Sequence, residues 1–246
     1  MSAEPEPTTA TDDGPLSGVA REPGSAKPDP LLVVDGTRRS FGGLVAVDVD
    51  HVEFQRGSIT GLIGPNGAGR TTFFNLLTGF DTPDTGTWAF DGNPIRKASP
   101  YRLARSAMVR TFQLTKSLTR MTVLENMKLG ALNQRGESVF TGLLKPLWRD
   151  QEREIEQRAE GLLARFKLDH MRDEFAGNLS GGQRKLLEMA RALMADPKLI
   201  MLDEPMAGVN PALTQSLLGH VKDLRSEGRT VIFVQHAMGV VNDISD

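Results

Sequence analysis

The stretch GPNGAGRTT, residues 64–72, decides how the rest of the chain is read. Gly64 and Gly69 bracket it, Gly67 lies inside, and Arg70 is followed by two hydroxyls, Thr71 and Thr72. Residues without Cβ let successive backbone N–H groups turn into one concavity that accepts phosphate oxygens. The apolar run SITGLI (58–63) leads into the loop as a strand. TTFFNLLTG (71–79) leaves it as a helix, with Phe73, Leu76 and Leu77 on one side and Gly79 ending it. That helix brings the positive end of its dipole to the same point, and Thr71 is placed to bind a Mg2+ that bridges terminal phosphates. One residue departs from the pattern G-x-x-x-x-G-K-[ST], which asks for lysine where this chain has Arg70. Arginine keeps the charge but is planar and bulkier. A misplacement of about 1 Å at a reacting centre can cost on the order of a hundredfold in rate. Nucleotide binding is therefore expected to survive weakened, and hydrolysis to suffer more.

The composition is that of a globular chain: 246 residues, 39% hydrophobic and 24% charged, enough for a sizeable core. A net charge of −2 gives no reason to expect a nucleic-acid partner. The absence of cysteine excludes disulfides and thiolate metal sites. No run approaches the roughly 18 apolar residues of a membrane span, and no basic-then-apolar segment reads as a secretion signal. Any path across a membrane would belong to other subunits. Residues 1–30 hold six prolines, six acids and two bases with almost nothing large and apolar, so they are expected to be a disordered tail.

From Leu31 the texture is that of a folded domain. LLVVD (31–35), VAVDVDHVEF (45–54) and TWAFD (87–91) read as strands, with TPDTG (82–86) as a turn before the last. The alternation slips phase near His51, which predicts a bulge or strand end there. Residues 114–185 read as mainly helical; Ile155, Leu162, Leu163 and Phe166 fall at helical spacing among charges. KLIML (198–202) and RTVIFV (229–234) are buried-strand runs separated by a helix that starts near Pro211. Strand, helix, strand with unbroken apolar runs predicts a parallel α/β sheet.

Two further stretches narrow the chemistry. Leu179-Ser180-Gly181-Gly182-Gln183 opens a helix, with Ser180 as its cap, and makes a second anion-binding helix start. LIMLDEP (199–205) puts Asp203 and Glu204 at the end of a strand, where carboxylates suit Mg2+ binding and water activation.

With GPNGAGRTT, LSGGQ and LDEP in this order, residues 31–246 resemble the ATP-binding subunits of ABC transporters. The resemblance implies a P-loop NTPase (RecA-like) core of α/β class, with an antiparallel β subdomain and an α-helical signature subdomain at about 114–185. It implies ATP and Mg2+ as ligands. Gly64, Pro65, Asn66, Gly67, Ala68, Gly69, Arg70, Thr71 and Thr72 would hold the phosphates. Phe41 would stack on adenine. Ser180, Gly181, Gly182 and Gln183 would form the signature. Thr71, Gln113 and Asp203 would hold the metal, with Gln113 also a catalytic residue that links the nucleotide site to the helical subdomain. Glu204 would polarise the attacking water, and His236 would contact the γ-phosphate. MAGVNP (206–211) resembles the loop that crosses the dimer interface. The other histidines, His51, His170 and His220, read as surface or packing residues.

Within this family, VRTFQLTKSLTRMTVLENM (109–127), the insertion around 135–150 and AGVNP (207–211) resemble the branched-chain amino acid import branch, where Asn210 replaces a more usual aspartate. The implied partners are a second ATP-binding subunit and membrane permease subunits. The implied place is the inner face of the cell membrane. Residues 121–127 would form the groove for a permease helix, and FTGLLKPLW (140–148) either joins that surface or packs on its own subdomain. In such a family one ATP sits between the phosphate loop of one chain and the signature of another, so ATP favours the closed pair.

Three departures stand against full activity: Arg70; Gln235 and Ala237 where the branch has glutamate and aspartate around the histidine; and an end at Asp246, where relatives continue, which predicts a truncated C-terminal edge. The alternative reading is a nucleotide-binding but hydrolysis-impaired subunit with a regulatory or structural role.

Overall fold

The computed structural model describes residues 15–20, 22, 24–95, 99–111, 118–132, 134, 149–235 and 245. Two sheets organise them. Strands β1 (Pro30–Phe41), β2 (Leu44–Gln55), β4 (Thr85–Phe90) and β5 (Asn93–Ile95) form an antiparallel sheet in the order β2-β1-β4-β5. Strands β3 (Ile59–Leu62), β6 (Met108–Arg110), β7 (Leu199–Asp203) and β8 (Thr230–Val234) form a parallel sheet in the order β3-β8-β7-β6. Among the described residues the α-helices are α1 (Arg70–Leu77), α2 (Pro100–Arg105), α3 (Val123–Lys128), α4 (Arg149–Arg165), α5 (Gly181–Leu193) and α6 (Pro211–Ser226).

Every residue of β7 and β8 is buried, and their alternation explains why the sequence shows unbroken apolar runs. Ile200, Leu202, Val231 and Phe233 face a core shared with α4, α5 and α6. Leu199, Met201, Ile232 and Val234 face a second core shared with α1 and the β1–β2 hairpin. Successive side chains of a strand point to opposite faces, so a sheet covered on both sides needs apolar residues at each position. The expected parallel α/β sheet is thus present. In α1, Phe73, Phe74, Leu76 and Leu77 are buried, at roughly 1.5–3 kcal/mol each for full burial of such side chains. In α4, Leu163 and Ala159 are buried, Phe166 follows in the same core, and Ile155 and Leu162 pack against it, as the spacing predicts.

The phase slip near His51 has a different origin from the one expected. Pairing of β1 with β2 runs unbroken from Leu32↔Phe54 through Asp35↔His51 to Arg39↔Val47, so β2 neither bulges nor ends there. Instead the two halves of the hairpin bury opposite faces. Leu32, Val34, Val52 and Phe54 point into the core in one half, and Thr37, Val47 and Val49 turn inward in the other. The change falls at Gly36 of β1, whose φ of 55° is left-handed, beside the register shift between β1 and β4 at Asp35/Arg38. The single-strand pattern records the change of face but not which strand causes it.

Order also begins earlier than Leu31. Asp29 accepts Arg56 Nε at 2.9 Å, its N–H donates to Gln55 Oε1 at 3.0 Å, and the Lys27 N–H donates to Glu53 Oε2 at 2.5 Å. These polar contacts seat residues 27–29 on β2 without any apolar burial. Residues 1–14, 21 and 23, also within the expected tail, lie outside the described residues.

Candidate functional site

Pairing of β3, β8 and β7 brings three loop starts to one edge. Leu62 pairs with Val234, and Val234 pairs with Asp203, so the carboxyl ends of these strands finish level. Ligands of open α/β sheets bind at this edge. The glycine loop leaves β3, Gln235 leaves β8 and Glu204 leaves β7.

The loop's shape depends on glycine at one position above the others. Gly69 caps α1 with φ 78° and ψ 2°. A Cβ there would sit 1.8 Å from the Ala46 carbonyl oxygen, so the loop presses directly on β2. Helix α1 has no side-chain cap and no acidic residue in its first turn, so no carboxylate of its own offsets the positive end of its dipole. Pro65, Asn66, Gly67, Ala68 and Thr71 are exposed, Gly64 and Thr72 half-buried. Phe41, at the hairpin tip, is 49% exposed and paired with Leu44, two residues before Ala46. Its ring lies under Arg39, 4.8 Å from the guanidinium carbon to the centroid, and Arg39 is held by Asp81 and Asp84.

Arg70 points neither into open solvent nor along its helix. Its Nη1 donates to the Gln235 carbonyl at 3.2 Å and its Nη2 to the Pro65 carbonyl at 3.4 Å. The guanidinium therefore ties the loop to the exit of β8. Gln235 is 8% exposed, with its own N–H donated to Leu62 O at 3.3 Å.

Asp203 is buried and ion-paired. Arg110 Nη2 donates to its Oδ2 at 2.6 Å, with both side chains 5% exposed, and Arg110 Nη1 donates to Asn75 Oδ1 of α1 at 2.6 Å. The guanidinium also lies 5.4 Å from the Phe74 ring centroid. This network joins β7, β6 and α1. The sequence reading missed Arg110 and Asn75; the one available signal was a cation placed at the end of the run Met108-Val109 and two residues from Phe112.

Glu204 is half-buried with φ 48°, a left-handed backbone in a non-glycine residue. Its N–H donates to Val234 O at 3.1 Å. From α5, Lys185 Nζ donates to the carbonyls of Glu204, Pro205 and Ala207. Burial pushes the Lys185 pKa below its ordinary value. A cavity of about 20 Å3, room for one water, is lined by Thr111, Lys185, Glu188, Asp203 and Glu204 among others.

The signature turn is built as expected from a cap, and a reciprocal one. The Gln183 N–H donates to Ser180 Oγ at 3.2 Å and the Ser180 N–H to Gln183 Oε1 at 2.9 Å. Ser180 and Gly181 are exposed, and Gly182 lies against Leu213, whose Cδ2 would be 2.3 Å from an added Cβ. Asn210 caps α6 by accepting the Leu213 N–H at 2.9 Å. Leu187, Met189 and Leu193 of α5 pack in one core, whereas α1 packs in the other. The two glycine turns therefore serve opposite faces of the parallel sheet.

Gln113, His236, Ala237 and residues 140–148 lie outside the described residues. The other histidines are engaged in packing or at the surface. His220 stacks on Phe166 at 4.3 Å, with burial lowering its pKa. His51 sits between Asp35 and Glu53, and the hydrogen bond to Asp35 raises its pKa. His170 is exposed.

Comparison with known proteins agrees with this arrangement. Residues 47–207 match the family model described as ABC transporter. The chain is 42% identical over 216 residues to a probable branched-chain amino acid transport ATP-binding protein LivG of Archaeoglobus fulgidus, covering 88% of this chain and 83% of that one. It is 39% identical over 219 residues to the high-affinity branched-chain amino acid transport ATP-binding protein BraF of Pseudomonas aeruginosa, covering 88% and 86%. A crystal structure of an ABC transporter's ATP-binding cassette in its ADP conformation superposes with a TM-score of 0.75 at 37% identity, over 88% of this chain and 85% of that one. A glycine loop, a strand-end Asp-Glu pair and a capped signature turn on one parallel sheet, together with matches of this extent, make this chain a member of the ABC transporter family.

Proposed function

We propose that the chain binds and hydrolyses ATP as one of two ATP-binding subunits that drive a membrane importer, with a branched-chain amino acid or a similar small polar solute as cargo. The observation that carries this reading is the convergence, at one sheet edge, of an uncapped helix start on the glycine loop with Glu204 at the adjacent strand end. The named functions of the relatives support the cargo class. Among the described residues no helix is long and apolar enough to cross a membrane; in this reading permease subunits form the path, and this chain sits at its inner face. We take residues 1–30 as a tail, 31–246 as the cassette and about 114–185 as its helical subdomain.

Residues 64–72 hold the triphosphate through backbone N–H groups and the α1 dipole. Phe41 offers the ring for the base. Exposed Thr71 and the strand-end carboxylate Asp203 form a donor set suited to Mg2+, with Gln113 as the third member; Arg110 takes Oδ2 of Asp203 and would share or yield it. Bound Mg2+ would neutralise charge on the β- and γ-phosphate oxygens. Glu204 accepts a proton from the water that attacks the γ-phosphorus, the bond to the bridging oxygen breaks, and ADP and phosphate result. His236 orients the water and γ-phosphate. Since α1 and α5 lie on opposite faces of the sheet, the signature that caps the nucleotide comes from the partner: Ser180 and Gly182 of the partner subunit close over it. ATP thereby makes contacts in the closed pair that the open pair lacks.

One observation favours the second reading, a subunit that binds but hydrolyses poorly. Arg70 spends its guanidinium on the carbonyls of Gln235 and Pro65, where a lysine's point charge would be free to follow the phosphates. Turnover and ATP-dependent dimerisation of the purified chain beside Arg70→Lys and Glu204→Gln test both readings. The expected result is faster turnover in Arg70→Lys, and a loss of about a hundredfold or more in Glu204→Gln with dimerisation retained. Equal rates for the parent and Arg70→Lys would remove the second reading. A chain that never pairs with ATP, and whose turnover ignores Ser180, would remove the first.

A further inference from the structure

Lys185 stands outside every role assigned above, yet it is bonded to the loop that begins at Glu204. From the second turn of α5 its ammonium donates to three backbone carbonyls: Glu204 at 3.4 Å, Pro205 at 3.2 Å and Ala207 at 2.5 Å. An ammonium has three donors, and here all three go to one short segment. That segment is strained where it starts. Glu204 has φ 48°, a conformation that costs a non-glycine residue on the order of 1–3 kcal/mol and persists only when its surroundings over-determine it. Its N–H is fixed on Val234 O at 3.1 Å, and its carbonyl accepts the Ala207 N–H at 3.1 Å as well as Lys185. The Lys185 stem and the Glu204 side border the same one-water cavity, with Glu188 and Asp203.

We propose that Lys185 is a positioning residue for ATP hydrolysis, holding the 204–207 carbonyls so that the Glu204 carboxylate is aimed at the attacking water. This rests on the reading of Glu204 as the group that polarises that water. In this role the ammonium acts on the peptide frame from which the carboxylate projects, and its charge also attracts the carboxylates of Glu188 and Glu204. A methylene chain without charge removes a donor from the Pro205 and Ala207 carbonyls, leaves Glu204 O with the Ala207 N–H alone, and lets the strained φ relax, which swings the Glu204 side chain.

The test is a double-mutant cycle on the full-length chain with steady-state and single-turnover ATP hydrolysis. Lys185→Met is expected to lower kcat by about ten- to a hundredfold, the size of a small misplacement at a reacting group. KM and the affinity for a non-hydrolysed ATP analogue should stay within about twofold, the pattern of an interaction used only in the transition state. Lys185→Arg, which keeps charge and donors, should recover most of the rate, and Lys185→Gln should fall between. In a Glu204→Gln background Lys185→Met should cost nothing further, because residues acting as one unit are non-additive. A full rate in Lys185→Met, a KM effect without a kcat effect, or an undiminished loss in the Glu204→Gln background would each overturn the proposal. If Lys185→Met fails to melt cooperatively, the same cycle is run with Lys185→Gln, and an unchanged kcat there overturns it. Undiminished turnover in Glu204→Gln alone overturns the prior reading of Glu204 instead.

Discussion

Among the described residues two helices begin beside glycines, and they are capped in different ways. Helix α1 follows Gly69, has no capping side chain, and is held in place from outside: by the close approach of Gly69 to Ala46, and by Asn75 tied through Arg110 to Asp203. Helix α5 follows Ser180 and carries its own cap, the Gln183 N–H on Ser180 Oγ and the Ser180 N–H on Gln183 Oε1. A helix end that closes on its own side chains is stable with no ligand. One that does not depends more on its surroundings to hold it. In the proposed function the first end holds phosphate within one chain and the second meets a nucleotide held by another.

The comparison predicts where damage is greatest. Removing Arg110 leaves Asp203 charged and buried, and breaking a buried pair costs about 3–5 kcal/mol. Arg110→Ala should therefore lower the melting temperature by roughly 10 °C, at about 2–4 °C per kcal/mol for a chain of this size. A shift no larger than that of a surface cap would mean that α1 is not braced from β7. Gly69→Ala comes next. Left-handed φ costs an alanine about 1–2 kcal/mol, and a Cβ 1.8 Å from a backbone oxygen forces a shift worth about 1–3 kcal/mol more. Thermal melts with and without ATP should show both lower stability and a smaller ATP-induced rise. Gly67→Ala, with left-handed φ but open space around it, should carry only the first cost.

Much of this contrast could be read from the sequence, and the residues explain where reading stopped. The loop, its helix and the capped signature were legible because each is a local pattern: glycines at fixed spacing, Ser180 before an amphipathic run, apolar residues at a helical or strand period. The braces were not. Asn75 and Arg110 are 35 positions apart and Arg110 and Asp203 are 93 apart, and β6, which aligns Arg110, is only three residues long. No periodic signal survives in so short a strand. Lys185 was invisible for the same reason: its partners are main-chain carbonyls about twenty residues away, and carbonyls have no sequence signature. The hairpin's change of face left its mark on β2, while the responsible Gly36 sits on β1. Pairing partners are needed to assign that cause.

The smallest effects fall on the signature side, and they discriminate most finely. Ser180→Ala removes one half of a surface cap, worth typically about 1 kcal/mol, so the melt should drop by only about 2–4 °C. Gly181→Ala should go the other way. Gly181 is the first residue of α5, has no left-handed φ, and an added Cβ meets nothing within 4 Å. A glycine in a helix costs up to about 1 kcal/mol relative to alanine, so this variant should be as stable as the parent or slightly more so. Glycine is thus required for folding at position 69 and not at position 181. If turnover of the paired subunits falls in Gly181→Ala while its melt rises, the lack of a Cβ there serves the close approach of another chain's nucleotide. If turnover and melt both hold, position 181 faces solvent in the working assembly, and Ser180 and Gly182 alone make the contact.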